Sequence, residues 1–125
     1  MIVGLGVDVV EIRRIREALK HRGERFVRRV YTEGEQAFCE ARRDPAPHYA
    51  VRFAAKEALF KALGTGWAKG LRWQDVEVLR QEQGAPILVL RQAAEKHSQE
   101  LGTRSIHLSL SHSADSALAV VILEK

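Results

Sequence analysis

Glu57 and Lys61 stand four residues apart in a segment, Phe53 to Leu63, that is otherwise mostly Ala, Leu and Phe. A helix apolar on every side belongs in a protein interior. Charges carried into such a place cost several kcal/mol unless something pairs with them. A Glu–Lys pair at this spacing is usually a solvated surface feature contributing a few tenths of a kcal/mol. Ala50, Phe53, Ala54 and Phe60 along the same stripe weaken that explanation and leave a bound ligand as a candidate partner. Arg52 and Lys56 repeat the four-residue spacing on a second stripe, so anions at the edges of this helix are expected. Gly64-Thr65-Gly66 closes it. This turn could cradle a phosphate, but it follows the helix and cannot use the positive end of its dipole. An ordinary glycine cap is the competing explanation.

The first ten residues offer a second carboxylate. In an extended strand Val3, Leu5, Val7 and Val9 fall on one face and Gly4, Gly6 and Asp8 on the other. Two glycines beside Asp8 admit either a ligand or another backbone. A dinucleotide fingerprint would need glycine at position 9, which is Val9. Near the C-terminus, Ile106, Leu108 and Leu110 alternate with His107, Ser109 and Ser111, ending at His112. Ser111 and His112 point to opposite strand faces, which is poor geometry for a catalytic triad, whereas His112 at the strand's end is well placed to donate to a phosphate. The other histidines are isolated, and no His/Cys spacing resembles a zinc site.

Those residues must be held by a small set of elements. Residues 1–10 read as a buried strand, 11–20 as a helix, 24–30 and 33–42 as further helical pieces with Thr32 as N-cap. Asp44-Pro45-Ala46-Pro47 reads as a break, followed by the apolar helix over 48–63 with Gly64 at its C-terminal cap. Strands are expected at 76–82 and 86–90 around a turn at 83–85, a polar surface helix at 91–101, and a hairpin of 106–112 with 117–123. No repeat or linker interrupts them. The expectation is one α+β domain over residues 1–125.

Composition narrows the class. The chain has 29% charged residues and no apolar run of membrane-spanning length. Its start lacks the features of a signal peptide. A single cysteine, Cys39, allows no intrachain disulfide, fits a reducing compartment and reads as a small core-facing residue. Of the net charge of +4, the segment 11–30 holds a surplus of five: eight Arg and Lys against three Glu. Arg13, Arg16 and Lys20 share one sector of the first helix, with Arg14 beside it. The preference for Arg argues for recognition of carboxylate or phosphate. An RNA- or DNA-binding domain is the alternative, but it leaves Asp8 and Glu57 without a use and lacks an aromatic stacking strand.

In order along the chain, Gly4-x-Gly6-x-Asp8, Glu11-Ile12-x-Arg14-Ile15, Phe53-Ala54-Ala55-Lys56-Glu57-Ala58-x-x-Lys61-Ala62-x-Gly64-Thr65-Gly66, Gly84-x-Pro86 and Ser109-x-Ser111-His112 closely resemble the holo-acyl-carrier-protein synthases, small 4'-phosphopantetheinyl transferases. That resemblance implies the phosphopantetheinyl transferase fold and a role in fatty acid biosynthesis in the cytoplasm. The phosphopantetheine arm of coenzyme A would pass to a serine of an apo-acyl carrier protein, releasing adenosine 3',5'-bisphosphate. Asp8 and Glu57 would be catalytic ligands of Mg²⁺, and Lys61 would stabilise charge on phosphate. Arg52, Gly64, Thr65, Gly66, Pro86 and His112 would contact coenzyme A. Arg13, Arg14, Arg16 and Lys20 would dock the acidic carrier protein. A homotrimer with sites between chains is also implied, with no nucleic-acid or membrane partner. Two carboxylates without nearby His or Cys also suit Mg²⁺ better than zinc, since that ion takes one or two carboxylates plus phosphate and water.

Overall fold

A computed structural model describes residues 1–66, 70–81 and 84–125. Its elements are β1 (Ile2–Glu11), α1 (Ile12–His21), α2 (Glu24–Val30), α3 (Glu33–Glu40), α4 (Pro45–Leu63), a 3₁₀ turn (Trp73–Asp75), β2 (Val76–Leu79), β3 (Ile87–Leu90), α5 (Gln92–Glu100), β4 (Ser105–His112) and β5 (Ser116–Glu124). The α+β expectation holds. An antiparallel sheet runs in the order β1-β5-β4, and β2 pairs with β3 in a second, smaller sheet.

The apolar helix is longer than its sequence reading. Pro45 and Pro47, expected to break the chain, begin α4 instead. The first turn of a helix leaves its N–H groups without intrahelical acceptors, so proline costs little there and its fixed φ suits the start. At the other end Gly64 takes the left-handed conformation (φ 76°) and its N–H donates to the Lys61 carbonyl. Thr32 caps α3 as expected, within a capping box whose other member is Glu35. The second strand stops at Leu79, and α5 buries Ala94, His97 and Ser98. Glu82 and Gln83, which carry parts of the expected strand and turn, and residues 67–69, which follow the Gly64-Thr65-Gly66 turn, lie outside the described residues.

The strand β1 is packed by the face opposite to the one its hydrophobicity favours. Gly4, Gly6 and Asp8 lie against α4, while Leu5, Val7 and Val9 are 62%, 49% and 62% exposed. The glycines explain the inversion: a Cβ on Gly4 would overlap the carbonyl oxygen of Ala62, and one on Gly6 that of Ala58. Another backbone therefore fills the space beside Asp8, and close approach to α4 outweighs burial of the branched side chains. The register continues the uncovered face onto β5, where Leu5, Val7 and Val9 lie opposite Ile122, Val120 and Leu118. On β4 the same face carries His107, Ser109 and Ser111. For Gly6→Ala, whose only relief is movement of two backbones, we expect a loss of about 3 kcal/mol in a denaturant melt. A loss below about 1 kcal/mol would mean that β1 is not held by this contact.

Candidate active site

Asp8 from β1 and Glu57 and Lys61 from α4 converge because the glycines bring the two backbones together. The Lys61 ammonium donates to the Asp8 carboxylate (Oδ1, 3.0 Å) and to the Val7 carbonyl (3.0 Å). Lys61 is half exposed, contrary to its expected place in an apolar stripe, whereas Asp8 is largely covered. Glu57 is partly buried, and its carboxyl keeps its proton above the ordinary glutamate range. Desolvation is the larger cause, the charge of Asp8 the second, and Lys61 opposes both. Two carboxylates on separate elements thus sense each other with one lysine between solvent and the pair. They line a cavity of about 680 Å³ whose wall also includes Phe53, Trp73 and Arg14.

A second cavity, of about 640 Å³, holds the expected phosphate contacts Arg52, Pro86 and His112. It adds Arg42, Arg80 and His48, which sequence reasoning missed. The Arg52 guanidinium is nearly buried and stacks over Phe38 (4.2 Å to the ring centre), and Arg42 lies over the same ring at 4.0 Å. Arg52 donates to the His48 carbonyl, while its buried Nε has no hydrogen-bond partner among the described residues. The rings of His48 and His112 are 6.2 Å apart, so His48 is not an isolated histidine. Burial first, then Arg52 and Arg42, hold His48 below its ordinary pKa. The available signal was the four-residue spacing of Phe38, on α3, and Arg42, just past its end. This cavity shares none of its lining residues with the carboxylate cavity. Gly64, Thr65 and Gly66 line neither; they follow Lys61 at the C-terminal end of α4.

The basic residues of α1 do not form one surface. Arg14 lines the carboxylate cavity, together with Arg22 and Arg29. Arg16 is instead tied to Asp44 by two hydrogen bonds of 2.8 and 3.0 Å. Arg13 lies 3.8 Å from Glu11 in solvent, and Lys20 is exposed. The fully buried cation of α4 is Lys56, paired at 2.7 Å with Glu35. Burial of the Cys39 thiol pushes its pKa up to about 12, consistent with a packing role.

Residues 4–121 match the model of the 4'-phosphopantetheinyl transferase superfamily. The chain belongs to that superfamily. It is 47% identical over 124 residues to a holo-[acyl-carrier-protein] synthase from Solibacter usitatus, a match covering 99% of each chain. Among solved structures it is similar to the holo-[acyl-carrier-protein] synthase of Neisseria meningitidis, with a TM-score of 0.91, 34% identity and complete coverage of both chains. The Helicobacter pylori synthase in complex with coenzyme A gives a TM-score of 0.83 at 31% identity, covering 96% of this chain and 99% of that one. In this phosphopantetheinyl transferase the arginines of the N-terminal helices are divided between cavities and ion pairs, an arrangement unlike the continuous basic stripe of a nucleic-acid-binding domain. No helix among the described residues is long and apolar enough to cross a membrane.

Proposed function

We propose that the protein moves the 4'-phosphopantetheine arm of coenzyme A onto a serine of an acidic apo-acyl carrier protein in the cytoplasm, with Mg²⁺ held by Asp8 and Glu57. The observation that carries this reading is the convergence of Asp8, Glu57 and Lys61 in a member of this superfamily. A carboxyl group whose proton is retained partly through the charge of a second carboxylate is a site that a hard divalent cation relieves. Among the described residues no cluster of three or more His, Cys, Asp or Glu could hold a metal alone. The remaining ligands would therefore come from substrate phosphate and water. When bound, the ion supplies neutralisation of charge on the diphosphate oxygens.

The chain's own groups do the rest. Lys61, half exposed beside Asp8, turns its ammonium to the transferred phosphate. Glu57, with one carboxylate oxygen left beside the metal, would take the proton of the carrier serine. The serine oxygen bonds to the phosphorus that bears the pantetheine arm. The bond from that phosphorus to the bridging oxygen breaks, and adenosine 3',5'-bisphosphate leaves with the electron pair. Arg52 and His112 bind coenzyme A phosphates, with Pro86, Gly64, Thr65 and Gly66 as further contacts. Arg14, which lines the carboxylate cavity, meets the acidic carrier there, and Arg13 and Lys20 add exposed positive charge on the same helix. Arg16, held by Asp44, contributes least to docking.

Coenzyme A needs both cavities, yet they have separate linings. The uncovered apolar face of β1 and β5 supports association of copies, and we read the active form as a homotrimer whose neighbour completes each site. Chelation tests the metal and the leaving group together. With EDTA, release of adenosine 3',5'-bisphosphate in the presence of carrier and coenzyme A should cease, and excess Mg²⁺ should restore it. Undiminished release in EDTA would reject the metal assignment.

A further inference from the structure

Lys56 takes no part in the chemistry above, yet its ammonium is wholly buried and fully bonded. It lies 2.7 Å from Glu35 Oε1 and donates to the carbonyls of Trp73 (3.1 Å) and Val76 (2.6 Å). Three ammonium protons thus meet three acceptors. Glu35 is as fully engaged: Oε1 also accepts from the Thr32 N–H (2.9 Å) and Oε2 from the Val78 N–H (2.8 Å). The network ties the start of α3, the middle of α4, the 3₁₀ turn and β2 into one unit. Stability alone does not account for it, because a well-packed apolar pair often serves as well as a buried ion pair.

Lys56 precedes Glu57, and consecutive side chains on a helix diverge by about 100°. Fixing the direction of one therefore fixes that of the other. On another side of α4, the contacts of Gly4 and Gly6 with Ala62 and Ala58 fix its distance and facing toward β1 beyond Glu57, while the Lys56 bonds hold the turn on which Glu57 itself sits. The carbonyl that Lys56 holds belongs to Trp73, whose ring stacks on Phe53 (centroids 4.9 Å apart) and walls the cavity of Asp8 and Glu57. We infer that the Lys56–Glu35 pair positions the carboxylate site by holding the turn of α4 that carries Glu57, so that Glu57 faces Asp8. Lys56 and Glu35 are positioning residues, and their role rests on the reading that Asp8 and Glu57 hold a divalent cation.

The test replaces the pair by apolar groups of similar size, Glu35→Leu with Lys56→Met, and uses Glu35→Gln as a second variant that keeps the side-chain shape. Mn²⁺ binding in the presence of coenzyme A is read by electron paramagnetic resonance, beside thermal melting, kcat and KM for coenzyme A. For the double variant the melting temperature should fall, because the N–H groups of Thr32 and Val78 and the carbonyls of Trp73 and Val76 lose these partners, so binding and turnover are read well below it. Mn²⁺ affinity and kcat should each fall about 10-fold or more, the scale of losing an outer support of a metal site. KM for coenzyme A should hold, because Arg52 and His112 lie in the other cavity. Glu35→Gln should show the same split, smaller in size. Mn²⁺ affinity and kcat at parent levels in a folded variant of either kind would overturn the inference. Glu57→Gln, run in parallel, separates the two readings: undiminished Mn²⁺ binding there would reject the metal site and this inference with it.

Discussion

Glu57→Gln is expected to lower turnover by about 10³-fold or more while leaving the fold intact, since it removes a metal ligand and the base for the serine proton. Gln is nearly isosteric and Glu57 is only partly buried, so secondary structure by circular dichroism should be unchanged. The metal-free variant should also melt higher than the parent at neutral pH. Burial and Asp8 raise the proton affinity of Glu57 in the folded state. Between the ordinary glutamate pKa and that raised value, the native protein binds more protons than the unfolded chain. Stability therefore falls as pH rises through that window, and the neutral amide removes the fall. Metal binding has the opposite sense, weakening as pH drops and protons compete for the carboxylate. Near-parent turnover in Glu57→Gln would show the carboxylate to be dispensable. An unchanged melting temperature would show that its burial costs the fold nothing.

Mixing two impaired variants should restore activity at low coenzyme A. Arg52→Ala is expected to raise KM for coenzyme A about 10- to 100-fold by removing a charged hydrogen bond to phosphate. It leaves the carboxylate cavity, on a different part of the molecule, intact. Glu57→Gln does the reverse. If each site takes its carboxylates from one copy and its cationic pocket from the next, an equal mixture refolded together has about one quarter of its sites complete. Assayed at coenzyme A concentrations too low for Arg52→Ala, the mixture should recover roughly that fraction of parent activity. A mixture no more active than its components would place both cavities' functions within one chain or on separate substrates.

Local rules made much of this molecule legible. Thr32 at the head of α3, Gly64 at the end of α4 and the alternation of β4 each follow from bonding within a few residues. The chemistry-bearing residues of α4 were visible because charge in an apolar helix needs a reason. What the sequence hid was set by distant partners. Lys56, like Arg52, was expected to meet a bound anion at the edge of the helix, but its counter-ion is Glu35, on another helix. The capping motif Thr32-x-x-Glu35 was readable, while the second use of Glu35 was not. Apolar alternation in β1 implied that Leu5, Val7 and Val9 were core. A single chain cannot reveal that glycines draw the opposite face onto a helix and leave those side chains uncovered. Arg16 looked like its neighbours on α1 until Asp44 arrived from the start of α4.

The measurement closest to the proposed chemistry is the mass of an apo-acyl carrier protein after incubation with the protein, coenzyme A and Mg²⁺. The carrier should gain the mass of one phosphopantetheine group, located on a serine by fragmentation, and Glu57→Gln should leave it unmodified over the same time. A carrier of unchanged mass, with a second aliquot modified normally by a known transferase, would contradict the assignment of Asp8, Glu57 and Lys61 to phosphopantetheine transfer.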